Sequence, residues 1–200
     1  MSENVNNKRK PLVLKDYIFM GLLSLVFGLL YLLALYAGTA TTGALTPTGY
    51  GILGYEPYYG IWFMAALAAV YILRRPGVGI VAEIIASVIE VILGNSFGPI
   101  VILSALIQGL GVELGFAIFR YKRYDYASTM LAAVFAMLFS FLWTGYRSAY
   151  WTMDFKIVGL IFIIRLASSL FFTGFLTKLL CDQLAKTGLL KTYPIGQVKA

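Results

Sequence analysis

Five polar side chains fall inside stretches of this 200-residue chain that are otherwise apolar: Glu83, Glu90, Gln108, Glu113 and Arg165. A charged side chain in hydrocarbon costs roughly 2.5–3.5 kcal/mol even on insertion scales, so each of these must face a protein interior or a wet cavity. Glu83 and Glu90 are seven residues apart. That is two helical turns, which puts them on one face about 10 Å apart along the axis, with Ser87 between them. Counted from the basic residues Arg75 and Arg120, Glu90 and Gln108 come to comparable depth and Glu113 lies nearer the basic end. Gln108 and Glu113 are five residues apart, about 140° around a helix, so they cannot both point straight into one narrow pocket. Arg165 is expected to pair with Glu113 or Glu83. At least one carboxylate is then left to hold a proton or to await a cation from outside. We expect Glu90 and Gln108 to contact a ligand, Glu83 to be balanced between ligand and structural roles, and Glu113 to be structural.

The surplus of acids disfavours an anion as ligand, and a bare metal ion needs several converging oxygens. Histidine is absent and Cys181 is the single cysteine. His-based acid–base chemistry, internal disulfides and His- or Cys-cluster metal sites are therefore excluded, and no cofactor or metal is expected. The same ends of the helices carry Tyr36, Tyr55, Tyr58, Trp62, Phe97, Trp143, Tyr146 and Trp151. Aromatic faces beside carboxylates suit a flat, positively charged or amine-bearing heterocycle, through stacking and cation–π contact. Most of these rings are expected in an interfacial belt or in core packing; Trp62 and Tyr146 are the ones expected to face a ligand. Asn95 and Ser96 either close the mouth of the cavity or form a plain turn.

Elements that could position these groups follow from the hydropathy. Sixty per cent of residues are hydrophobic and 12% charged, with a mean hydropathy of +0.82, against about 25% charged residues in an ordinary soluble domain. This composition excludes disorder and argues against a water-soluble enzyme. Apolar runs at Tyr17–Gly38, Tyr58–Leu73, Val78–Leu93, Pro99–Phe119, Ala127 to Trp143 or Tyr146, and Phe155–Cys181 predict an all-α membrane protein, a single six-helix transmembrane bundle over residues 1–200. The third run is short for a span. The first is too long for a signal-peptide core and is expected to remain as a helix.

Orientation follows from Lys and Arg. Lys8, Arg9, Lys10, Lys15, Arg74, Arg75, Arg120, Lys122, Arg123, Lys178, Lys186, Lys191 and Lys199 fall on one side, against Arg147 and Lys156 on the other. Both termini are therefore expected in the cytoplasm, with tails at 1–15 and 182–200. The net charge of +7 needs no nucleic-acid partner, since positive-inside bias and attraction to anionic membrane lipid account for it. Residues Thr39–Pro57, on the outer side, are rich in Gly, Thr, Pro and Tyr. No regular helix is expected there; the segment is a connector or, as we favour, a lid over an outward-facing cavity.

On helix 1, Gly21, Ser24 and Gly28 let another helix approach closely. They serve packing within the bundle or docking of a separate subunit. No G-x-x-x-x-G-K-[ST] phosphate loop occurs, so uphill transport would draw on a partner or an ion gradient.

The run Trp62-Phe63-Met64-Ala65-Ala66, then Arg74-Arg75-Pro76-Gly77, Glu83, Glu90, Gly94, Gln108-Gly109-Leu110-Gly111-Val112-Glu113-Leu114 and Phe116-Ala117 resembles the YkoE family, substrate-binding S components of energy-coupling factor (ECF) vitamin transporters. The resemblance implies a six-helix bundle with a pocket open to the outside, and a substrate that is thiamine or its hydroxymethylpyrimidine (HMP) precursor. It also implies a transmembrane coupling subunit and ATP-binding subunits as partners, which would supply the missing phosphate loop. Family members dock through small residues on helix 1, often as Ala-x-x-x-Ala; the nearest match here is Ser24-x-x-x-Gly28. Mapped onto this chain, the substrate contacts would be Glu83, Glu90 and Gln108. The rival reading is a self-sufficient proton-coupled carrier of a cationic heterocycle, with Glu83 or Glu113 cycling protons. An intramembrane enzyme is the weakest reading, since no nucleophile–base pair is visible.

Overall fold

The computed structural model describes residues 11–197, so the tail residues Lys8, Arg9, Lys10 and Lys199 lie outside the described part. Helices follow one another as α1 (Leu14–Leu45), α2 (Met64–Leu73), α3 (Val78–Ile92), α4 (Ile100–Ile118), α5 (Tyr126–Arg147), α6 (Phe155–Ser168) and α7 (Thr177–Lys186). No strand occurs among the described residues. A π-helical stretch, Ser169–Leu176, joins α6 and α7 into one rod, and a 3₁₀ stretch, Glu56–Phe63, leads into α2.

The centre is α2. All ten of its residues are buried, as a helix apolar on every side must be. Its alanines let the other helices come close. Around it, α4 and α5 run antiparallel in tight contact: Gly115 faces Ala132, and a Cβ on Gly111 would sit 2.6 Å from the Ala136 Cα. Helices α1 and α3 are sealed in the same way. The Ser24 hydroxyl donates to the Ala82 carbonyl at 2.9 Å, and a Cβ on Gly28 would sit 2.8 Å from the Ile89 Cγ2. Ser24 and Gly28 are therefore taken up by packing inside the bundle. Gly21, by contrast, has open space beside it.

Several boundaries differ from the sequence expectation. α1 continues seven residues into the Thr39–Pro57 segment, to Leu45, where no regular helix was expected. Thr39 and Thr41 return their hydroxyls to the carbonyls of Leu35 and Ala37, and a lone Gly43 does not stop a helix. Beyond it come short 3₁₀ turns at Thr46–Thr48 and Gly51–Leu53, with Gly49 in the left-handed conformation at φ 82°. The last rod extends past Cys181 to Lys186. The segment after it folds back, burying Leu190 and Ile195 and setting Tyr193 4.5 Å from the Phe19 ring.

Among the described residues, five helical stretches are long and apolar enough to cross a membrane: Leu14–Thr48, Gly51–Leu73, Ile100–Ile118, Tyr126–Arg147 and Phe155–Lys186. The protein is thus a multi-pass membrane protein. α3 has 15 residues, about 22 Å of helix against a hydrocarbon core of about 30 Å, and falls short of that length.

Candidate functional site

The buried acids are held in different ways, and the difference separates their roles. Helix starts leave backbone N–H groups without intrahelical partners, and carboxylates are favoured there. Glu83, fully buried, accepts from the Ala66 N–H at 2.8 Å in the first turn of α2. It also accepts from the Tyr31 hydroxyl at 2.8 and 3.0 Å, and that hydroxyl in turn accepts from the Ala65 N–H at 3.1 Å. Glu113 does the same for α3, accepting from the Gly79 N–H at 2.8 Å and the Tyr121 hydroxyl at 2.5 Å. Glu90 caps nothing. Its side-chain donors are the Trp62 indole N–H at 3.2 Å and, beside it, the Asn95 amide. A carboxylate has about four acceptor positions, so Glu90 keeps spare capacity, although it is 1% exposed.

Arg165 is paired with neither Glu113 nor Glu83. Its guanidinium grips Glu56 through two bonds of 2.6 Å each, with both side chains buried. It also donates to the Thr144 hydroxyl at 3.1 Å and the Tyr150 hydroxyl at 3.2 Å, and it lies 3.6 Å from the centre of the Tyr59 ring. Glu56 stands in a turn-rich segment before Pro57 and so escaped a count limited to the apolar runs. The consequence is that Glu83, Glu90 and Glu113 form no ion pair with any described residue.

Glu83 and Glu90 open onto a cavity of about 560 Å³. Small-molecule sites typically measure about 300–1,000 Å³. Ser87, Gln108 and Trp62 line it together with the two acids; Glu113 does not. Tyr55, Tyr59 and Phe97 complete an aromatic wall, with Tyr55 5.2 Å from Phe97 and Tyr59 5.7 Å from Trp62 between ring centres. The wall's backbone is pinned to the last rod. Ser168 donates to the Pro57 carbonyl at 2.7 Å and accepts from the Gly60 N–H at 3.0 Å, and Thr173 donates to the Gly60 carbonyl at 2.6 Å. Gly60 is required here, because a Cβ would collide with the Ser168 carbonyl.

Two sequence candidates fall outside the lining. Tyr146 is 72% exposed on the outside of α5, against Trp143 and Trp151, because α5 turns this position away from the bundle. Asn95 is buried, its side-chain oxygen accepting from the Phe97 N–H at 2.6 Å and its amide turned toward Glu90. Tyr31, Tyr59 and Glu56 line the cavity without having stood out in the sequence. Tyr31 sits in an unbroken apolar run with nothing to mark it, whereas an acid within an aromatic-rich segment is a signal for Glu56.

Residues 15–139 match the family described as ABC-type cobalt transport system, permease component. A Bacillus subtilis (strain 168) protein named an HMP/thiamine permease protein, YkoE, is 37% identical over 183 residues, 92% of this chain and 89% of that one. This chain belongs to the YkoE family of ECF transporter S components. A crystal structure of an S component of an ECF transporter agrees, with a TM-score of 0.87 at 36% identity over 94% of this chain and 92% of that one. The YkoE-family fold is thus the frame around the cavity, and its members are transporter components rather than enzymes. Cobalt, in the matched family's description, finds no donor set here: no group of three His, Cys, Asp or Glu that could hold a metal ion occurs among the described residues.

Proposed function

We propose that the chain is the substrate-binding component for uptake of thiamine, or of its hydroxymethylpyrimidine precursor, across the cell membrane. Separate coupling and ATP-binding subunits supply the energy. In this reading the bundle crosses the membrane six times with both termini in the cytoplasm, and residues 39–57 form the outer lid. The observation that carries it is the cavity itself: two carboxylates without a cationic partner, facing an aromatic wall. A thiazolium or an aminopyrimidine supplies the charge or N–H donors that Glu90 lacks and the flat surface that Trp62, Tyr55 and Phe97 can stack on. Glu83 and Gln108 line the same space and add acceptors. The relative's printed name points to the same compounds.

The test is direct. Small molecules released from the gently purified protein are identified by mass spectrometry, and thiamine and hydroxymethylpyrimidine are then titrated in by intrinsic fluorescence, with Trp62 as reporter. Glu90→Gln removes the uncompensated charge and should weaken binding at least tenfold, since hydrogen bonds to a charged group carry about 1.5–3 kcal/mol. Neither compound bound, or an unchanged affinity in Glu90→Gln, would refute the assignment.

A further inference from the structure

The cavity holds one more charge that the reading above does not use. Arg147, the last residue of α5, lines its rim and is exposed. It enters no ion pair with a described residue, and its guanidinium rests 5.9 Å from the centre of the Trp143 ring. The other guanidinium close to the site, Arg165, is consumed by Glu56. Glu83 and Glu90 thus lack a cation, and the rim cation lacks an anion.

Helix register gives the separation. Along the antiparallel pair α4 and α5, Gly115 faces Ala132, Gly111 faces Ala136, and the Trp143 indole donates to Ser104 at 2.8 Å. The same spacing sets Arg147 opposite Ile100, which is eight residues outward of Gln108 along α4, or about 12 Å of helix rise. Glu83 and Gln108 therefore mark the inner end and Arg147 the outer end, beside the Ser148 that also lines the rim. Gly109 likewise faces Ile80 on α3, which sets Glu90 opposite Pro99 and near the depth of Arg147, yet the two form no ion pair.

We infer that the site accepts the phosphate monoester of its heterocyclic substrate as well as the free alcohol, with Arg147 as the residue that receives the phosphate. This rests on the thiamine/HMP reading and deepens it. A bipolar ligand satisfies both ends at once: the cationic or amine-bearing ring reaches inward to Glu83 and Gln108, and the ester group, on the substrate's hydroxyl-bearing arm, emerges at the rim. Guanidinium is the side chain best suited to phosphate, which it meets through two parallel N–H bonds.

Thiamine and thiamine monophosphate are titrated separately into the purified protein and into Arg147→Gln and Arg147→Glu. Arg147 is exposed and unpaired, so both variants should fold, and retained thiamine binding verifies it. Arg147→Gln should weaken the monophosphate about five- to tenfold, as expected for a partly solvated Arg–phosphate contact, and change thiamine less than twofold. Arg147→Glu should weaken the monophosphate further and leave thiamine bound as tightly or more so. If thiamine binds but the affinity for its monophosphate ignores Arg147, or if both ligands weaken equally, the inference falls and Arg147 is an anchor at the membrane interface. If the unmodified protein binds neither compound, the substrate reading falls with it.

Discussion

The buried Arg165–Glu56 pair offers the sharpest test of how the cavity is held. Both side chains are removed from water and joined by two bonds of 2.6 Å each. Removing one partner leaves the other charged and enclosed, which typically costs about 3–5 kcal/mol, whereas exchanging both for apolar side chains of similar size is often close to neutral. For a chain of this length each kcal/mol moves the melting temperature by about 2–4 °C. Arg165→Met and Glu56→Leu should each lower it by about 6–20 °C, and the double variant should recover at least half of the summed loss. Thermal unfolding in detergent, followed by tryptophan fluorescence, reads all four proteins. Because Glu56 opens the 3₁₀ stretch that carries Tyr59 and Trp62, Arg165→Met should also weaken thiamine well beyond its effect in the double variant. Strictly additive losses in stability would mean that the pair does not act as a unit and would refute this reasoning.

Other outcomes follow from single contacts. Gly115→Leu should prevent folding or lower the melting temperature steeply, since even a Cβ would strike the Ala132 backbone, while Gly21→Ala, with nothing within 4 Å, should leave it unchanged; expression and thermal unfolding check both. Gly38→Ala places a methyl group against the Tyr55 ring, so thiamine affinity should fall more than stability does, as a titration beside a melt would reveal. Asp125 caps α5 through the Ser128 N–H at 3.0 Å, so Asp125→Ala should cost about 1 kcal/mol. The Ser128 N–H and then Arg123 hold the Asp125 carboxyl below its ordinary range. Its contribution is therefore complete above that ordinary range and is lost as pH falls through the lowered value. The stability gap between Asp125→Ala and the unmodified protein should thus be constant near neutrality and shrink only in strong acid.

The helices were legible because lipid allows so few backbone arrangements: a span must satisfy its own hydrogen bonds, and long apolar runs announce it. The same logic singled out Glu83, Glu90 and Gln108, because polar groups in such runs need a reason. What the runs could not reveal was pairing. The apolar runs alone offer Arg165 only Glu83, Glu90 or Glu113, yet its partner Glu56 lies in the segment leading into α2 and is brought in by the fold. Nor could the pattern show that Glu83 and Glu113 receive backbone N–H groups from other helices, since that depends on where one helix begins beside another. Tyr146 faces outward for a simpler cause. Counting depth along α5 puts it at the right height, but its direction around the axis is set by the packing of Gly111 and Gly115 on Ala136 and Ala132.

These contacts divide the aromatic wall of the cavity near the Tyr55–Glu56 peptide bond. Up to Tyr55, the segment belongs to α1: the Tyr55 hydroxyl meets Thr39 at 2.8 Å, its ring lies on Gly38, and Gly54 packs on the Thr42 backbone. From Glu56 onward it belongs to the last rod, through Arg165, Ser168 and Thr173. The π-helical stretch carries Thr173, and the extra residue in its turn shifts the helical phase, so that Thr173 reaches Gly60 while Arg165 reaches Glu56. Opening the wall within Glu56–Phe63 would break an ion pair in low dielectric and several backbone contacts together. Opening it between Tyr55 and Glu56 leaves the ion pair and the Ser168 and Thr173 contacts intact and swings the end of α1 with its turns, at the cost of the Tyr58 N–H bond to the Tyr55 carbonyl, the Thr41–Tyr58 hydroxyl contact and the ring contacts of Tyr55 with Trp62 and Phe97. In the proposed transport reading, entry from outside is therefore expected to move the α1 side, while the half of the wall that carries Trp62 stays fixed beside Glu90.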